Sequence, residues 1–167
     1  MEPGAPAAPQ APFTWIPDHA ADNDVARRLV REHRARALDE EGTVDSLVLL
    51  AHVDAFTGNH AQAVRRCEQA LDRDARHGPA WTVRGWSRLA QGQVDGAELD
   101  LLRGVDLSAD PIFALVGLGR VAEERRWPDE ALARYEQARA ALADSPDALP
   151  QHAADLERRL ERLRRAR

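Results

Sequence analysis

Few side chains in this sequence have the type and spacing that catalysis or metal binding requires. The histidines are scattered along the chain, at His19, His33, His52, His60, His77 and His152. No two of them lie four residues apart with a glutamate between, so the helical zinc motif is absent. The chain also contains no CxxC pair and no glycine-rich phosphate-binding loop. We therefore expect no metal, no other cofactor and no enzymatic activity.

Two stretches resemble chemical motifs but have a structural explanation. Cys67 is the single cysteine, and it falls among apolar residues at helical spacing, which predicts a small buried side chain. Gly117 and Gly119, in the stretch VGLGR, lie inside a predicted helix instead of following a strand. A dinucleotide-binding loop needs that strand before it, so the fingerprint is excluded by its context.

The composition is typical of a soluble globular chain of one domain with tails. The 167 residues are 44% hydrophobic and 31% charged, and the net charge of -5 argues against general nucleic-acid binding. All 23 basic residues are arginine, which favours a GC-rich and bacterial genome. A lone cysteine fits a reducing cytoplasm, and the sequence shows neither a signal-peptide pattern nor an apolar run of roughly 20 residues.

The dominant feature of the sequence is a repeat of 34 residues, in the blocks 44–77, 78–111 and 112–145. Small residues recur at positions 8, 20 and 27 of each block, and these are Ala51, Gly85 and Gly119; Ala63, Ala97 and Ala131; and Ala70, Gly104 and Ala138. Large residues recur at positions 4 and 24, and these are Leu47, Trp81 and Leu115, and Cys67, Leu101 and Tyr135. This period predicts two antiparallel helices per block, which touch closely at the small residues and stack on the next block.

Turn residues mark the expected helix ends. Thr43 is placed to cap the first helix of the first block, which Gly58 ends. Asn59, followed three residues later by Gln62, predicts a capping box for the second helix. Pro128 suits the first position of the last helix in the third block.

The blocks resemble the tetratricopeptide repeat family. The resemblance is carried best by AWTVRGWSRLAQGQVDGA, residues 80–97, and by LGRVAEERRWPDEALARYEQA, residues 118–138. It implies an all-α fold, in which three helix-turn-helix repeats form an α-solenoid with an extra N-terminal helix and a C-terminal capping helix. It also implies that the protein is an adaptor or scaffold that binds other proteins.

The segments that flank the blocks have distinct patterns. Residues 1–17 are rich in proline and alanine and predict a disordered tail, in which the cluster Phe13, Trp15 and Ile16 either rests on the scaffold or takes part in recognition. Residues 18–43 hold a helix, expected from Asp22 to Glu41, that lies outside the 34-residue register. Residues 146–167 predict a capping helix with Ala153, Leu156, Leu160 and Leu163 on one face.

The resemblance also implies where a partner binds. In the family the first helix of each repeat lines a concave groove through positions 2, 5, 9, 12 and 13. The groove residues implied here are Asp45, Val48, His52, Ala55 and Phe56; Pro79, Thr82, Trp86, Leu89 and Ala90; and Phe113, Val116, Arg120, Glu123 and Glu124. A second interpretation is that several of these side chains contact the terminal helices instead.

Three functions fit this sequence. The first is an interaction adaptor that holds a segment of another protein in the groove, with Trp86 as its anchor. The second is a secretion-type chaperone that cradles a translocator protein, an interpretation based on helix number and chain length. The third is a structural protein that self-associates, as a homodimer, through leucines of its terminal helices. Neither nucleic acid nor a membrane is an expected partner, and the basic clamp with which some family members bind acidic chaperone tails is missing.

Overall fold

The part of the chain that the computed structural model describes, residues 24–39, 42–145 and 150–166, is entirely helical. It forms eight helices: α1 Asp24–Asp39, α2 Val44–Phe56, α3 His60–Arg73, α4 Gly78–Ala90, α5 Val94–Leu107, α6 Ile112–Glu124, α7 Pro128–Ala143 and α8 Pro150–Arg165. These residues contain no strand. The prediction of an all-α fold is therefore confirmed.

Each helix packs against the next one in the chain, and the closest association is within the pairs α2–α3, α4–α5 and α6–α7. The first helices of these pairs begin at Val44, Gly78 and Ile112, which are the first residues of the three sequence blocks. The first helices also contact one another in turn, α2 with α4 and α4 with α6. Residues from successive blocks therefore meet on one side of the molecule.

Small residues form the contact inside each pair. The alanines at positions 20 and 27 of the blocks are fully buried. A Cβ atom added at Gly85 would lie only 2.7 Å from Cγ of Leu101, and one added at Gly119 would overlap the ring of Tyr135. The two helices of a pair are therefore as close as their backbones and the facing side chains allow.

The turns inside the pairs share one backbone conformation. Gly58 and Gly92 have φ angles of +85° and +75°, and Arg126 takes the same left-handed region at +59°. Glycine adopts this region without a steric penalty, whereas Arg126 must hold it against one. The capping box predicted at Asn59 is wrong, because Asn59 makes no side-chain cap and the Gln62 amide oxygen accepts a hydrogen bond from Arg65.

Helix α1 coincides with the 34-residue period at its C-terminal end, although Leu29 and Arg36 stand where the blocks carry small residues. It ends at Asp39, which is 34 residues before α3 ends at Arg73. His33 therefore occupies the position that Cys67 holds in the first block, and both side chains are buried. The expectation that this helix lies outside the repeat register stays a prediction, because the small residues of the repeat do not recur in α1.

Helix α8 packs on the third pair. Leu156 and Leu160 are buried in one cluster with Tyr135 and Leu142, and Leu163 packs against that cluster. The expectation of self-association needed these leucines at the surface. Leu156 and Leu160 pack within the chain and Leu163 stays partly exposed, so self-association through α8 stays a prediction.

The close contact at Gly119 yields a test of the packing. Gly119→Ala is expected to lower the free energy of unfolding by about 1–3 kcal/mol, because the new Cβ meets a buried ring that cannot move aside. Gly96→Ala is the matched control, since only the flexible Arg88 side chain lies near it, and it should raise stability by about 0.5 kcal/mol. Urea unfolding followed by circular dichroism measures both, and equal effects would contradict this packing.

Candidate functional site

The predicted groove residues lie on the first helices of the three pairs, α2, α4 and α6, which contact one another in turn. We call this surface the first-helix face and define it as the side of α2, α4 and α6 that carries His52, Trp86 and Arg120. These three residues occupy position 9 of the three blocks. The ring of Phe113 on α6 contacts the rings of both His52 and Trp86. The face is thus built from all three blocks.

Trp86 and Phe113 form an aromatic pair at the junction of α4 and α6. Their ring centroids lie 5.1 Å apart with 18° between the planes, a stacked arrangement. The indole N–H of Trp86 donates a hydrogen bond of 3.1 Å to the Phe113 carbonyl oxygen. Both side chains are partly buried and so retain some solvent exposure. The hydrogen bond and the stack together fix the orientation of the indole.

His52 is buried, and its ring contacts Phe113 of α6 and His33 of α1. The ring centroids of the two histidines lie 5.3 Å apart, and those of His52 and Phe113 lie 5.8 Å apart. Burial lowers the pKa of His52 well below its ordinary value, and the nearby His33 lowers it further. Neutral His52 therefore packs as a flat aromatic ring between His33 of α1 and Phe113 of α6.

Four of the predicted groove residues belong to the interior, and these are His52, Val48, Thr82 and Val116. Val48 and Val116 are almost completely buried, in the clusters of the first and third pairs. Thr82 is also buried, and its hydroxyl donates a hydrogen bond of 3.1 Å to the Gly78 carbonyl oxygen. These side chains hold the helices together and are not presented to a partner.

The remaining predicted residues differ in exposure. Phe56, Leu89 and Arg120 are partly buried, and Leu89 packs against the cluster of the second pair. Ala90 and Glu124 are exposed, whereas Asp45, Ala55 and Pro79 are partly buried. The accessible part of the first-helix face is therefore centred on α4 and α6 and includes Phe56, Trp86, Leu89, Phe113 and Arg120.

Glu123 connects this face to α8. Its carboxylate accepts a hydrogen bond of 2.9 Å from the Tyr135 hydroxyl and another from Arg162, and it pairs with Arg159 at 3.9 Å. Burial raises the pKa of Tyr135 well above its ordinary value, and the charge of Glu123 adds to this effect. Tyr135 thus stays protonated and donates to Glu123 at every physiological pH.

Sequence reasoning missed three residues of this region, His33, Tyr135 as a hydrogen-bond donor, and Arg159. Extending the 34-residue register back by one step would have found His33. No comparable signal marks Arg159, because its contact with Glu123 depends on how α8 docks. The tail cluster Phe13, Trp15 and Ile16 lies outside the described residues.

Two observations on the described residues concern metal binding and thiol reactivity. Among these residues, no group of three His, Cys, Asp or Glu side chains is placed to hold a metal ion. Burial raises the pKa of the Cys67 thiol to about 12, so the reactive thiolate is scarce near neutral pH. Within the same ranges, no helix has the length and hydropathy that crossing a bilayer requires.

The Glu123 contacts provide a test of how α8 is held. Glu123→Gln removes the charge that Arg159 and Arg162 share, and we expect the free energy of unfolding to fall by about 1–3 kcal/mol. Glu124→Gln is the control, since this neighbouring side chain is exposed. Thermal unfolding at pH 7 compares the variants. Equal melting temperatures would show that the Glu123 network contributes nothing to α8 docking.

Comparisons with known proteins leave the family open. No protein-family model matches the chain, and no curated protein matches it at a significant level.

Proposed function

We propose that this protein is an interaction adaptor, that its three helix pairs are tetratricopeptide-type repeats in a short α-solenoid, and that its first-helix face holds a segment of a partner protein. The repeat assignment is supported by pairs that begin 34 residues apart, at Val44, Gly78 and Ile112. It is also supported by the small residues buried at equivalent positions of each pair.

The observation that carries the binding proposal is the stacked pair of Trp86 and Phe113 in the middle of the first-helix face. Tryptophan is the residue type most often dominant in protein interfaces, because it buries a large area and brings one hydrogen-bond donor. Here that donor is already satisfied by the Phe113 carbonyl oxygen. An indole held in one orientation loses little freedom on binding, so more of its contact energy appears as affinity.

The surroundings of Trp86 suggest what the partner segment contains. Phe56 and Leu89 add partly exposed apolar area. Arg120 occupies in the third block the position that Trp86 occupies in the second. Arg120 is 3.6 Å from Glu123, so its charge is partly balanced. We expect a segment that brings apolar side chains to Trp86 and polar groups to Arg120. The buried Val48 and Val83 stand where a basic clamp for acidic tails would be.

Affinity purification with mass spectrometry from the native cell tests this proposal. We compare the wild type with Trp86→Ala and with Trp127→Ala, whose tryptophan is exposed in the turn between α6 and α7. Trp86→Ala should reduce recovery of the partner more than about tenfold, as expected for loss of an interface anchor. Trp127→Ala should recover it fully.

A separate variant guards against loss of folding. Arg120→Glu changes the charge of a partly exposed side chain on the first-helix face without opening a cavity. The Arg120→Glu variant should keep the helical circular-dichroism spectrum of the wild type, and it should recover less of the partner than the wild type does. If folded Trp86→Ala and Arg120→Glu recover every wild-type partner in full, the first-helix face is not the binding site.

A further inference from the structure

Four aromatic rings form a continuous row, and each comes from a different helix. In order they are His33 on α1, His52 on α2, Phe113 on α6 and Trp86 on α4. The successive ring centroids are 5.3, 5.8 and 5.1 Å apart. His52 is therefore two ring contacts, and His33 three, away from the indole that we propose as the partner anchor.

The two histidines are poorly placed to carry charge. Relative exposure is 8% for His33 and 4% for His52, so a proton on either ring would be taken out of water. Two protonated rings at 5.3 Å would also repel each other. Among the charged groups near His33, Arg36 opposes its protonation and Glu32, also on α1, favours it. His77 and Asp45 pair with each other at the first turn of α2.

We propose that the His33–His52 pair is an acid-sensitive switch, in which proton uptake separates α1 from α2 and loosens the row of rings as far as Trp86. The inference rests on the proposed function for its biological meaning, because Trp86 is the anchor of that function. α1 is suited to this movement, since among the described residues it packs chiefly on α2. The remainder of the helical stack can stay folded when α1 leaves.

The direction of the response follows from linkage. Burial lowers the pKa of both histidines while α1 is docked, whereas an open form leaves them near the ordinary value of 6.5. Above pH 6.5 both forms hold neutral rings, and docking does not depend on pH. Below it, the open form binds protons that the docked form excludes. Each histidine then favours the open form by at most about tenfold per pH unit, and only down to the pKa that it has in the docked form.

Nuclear magnetic resonance of the free, full-length, ¹⁵N-labelled protein tests the switch. Between pH 7.5 and pH 5, the ring signals of His33 and His52 should titrate below the ordinary histidine pKa of 6.5. The indole N–H signal of Trp86, which is held by the Phe113 carbonyl oxygen, should shift or broaden over the same range. Amide protons of α1 should lose their protection from exchange there, while those of α5 keep theirs.

Two kinds of variant separate the switch from general acid sensitivity. His52→Phe keeps a ring in the row but cannot take up a proton, so the Trp86 signal should become less sensitive to pH below 6.5, because only His33 can then drive the opening. His33→Leu removes the other proton site and should weaken the response if His52→Phe proves too large for its place. His152→Gln is the control and should behave as the wild type.

Three results would overturn the switch. One is that His33 and His52 titrate at or above the ordinary pKa of 6.5. Another is that they titrate below 6.5 while the Trp86 signal stays fixed. The third is that α1 of the wild type and of both proton-site variants loses protection at the same pH. Because the experiment uses the protein without a partner, any of these leaves the binding proposal intact, and failed partner recovery leaves the switch intact.

Discussion

The close approach of two helices within each pair is the constraint on which the rest of the structure depends. Alanines and glycines occupy that contact, and an added Cβ at Gly85 would come within 2.7 Å of the Leu101 side chain. Because equivalent positions are small in every block, the three pairs share one geometry. The first helices consequently meet in series, and one position of each block is repeated along a single face. His52 and Trp86 occupy the same position of successive blocks, and the ring of Phe113 contacts both.

Features encoded by short stretches of chain could be predicted from the sequence. Thr43 caps α2, with its hydroxyl oxygen accepting from the Ser46 amide at 3.0 Å, and Pro128 begins α7. Gly58 takes the positive φ angle that ends a helix. The fully buried alanine at position 20 of each block, such as Ala131, could also be predicted from the sequence. In each case residue type limits the local backbone or the local space, so no distant partner has to be known.

Features that depend on distant partners could not be predicted. Arg84 lies at the contact between the two helices, and its guanidinium donates two hydrogen bonds of 2.8 Å to the carboxylate of Asp100. Asp100 is buried, with a relative exposure of only 2%. The spacing of these two residues in the sequence does not by itself predict that their side chains form an ion pair. The same holds for Glu123, whose arginine partners arrive only when α8 docks. The candidate face was therefore predicted as a list of positions, whereas its division into buried and accessible side chains required the structure.

The central claim, that the first-helix face is where a partner binds, is tested most directly by photo-crosslinking in the native cell. A photoreactive benzoylphenylalanine replaces Arg120 on this face in one strain and Leu99, an exposed residue of α5, in another. Our account predicts an adduct of higher mass from position 120 and none from position 99. An adduct from position 99 alone would place the binding surface on the second helices and contradict the account.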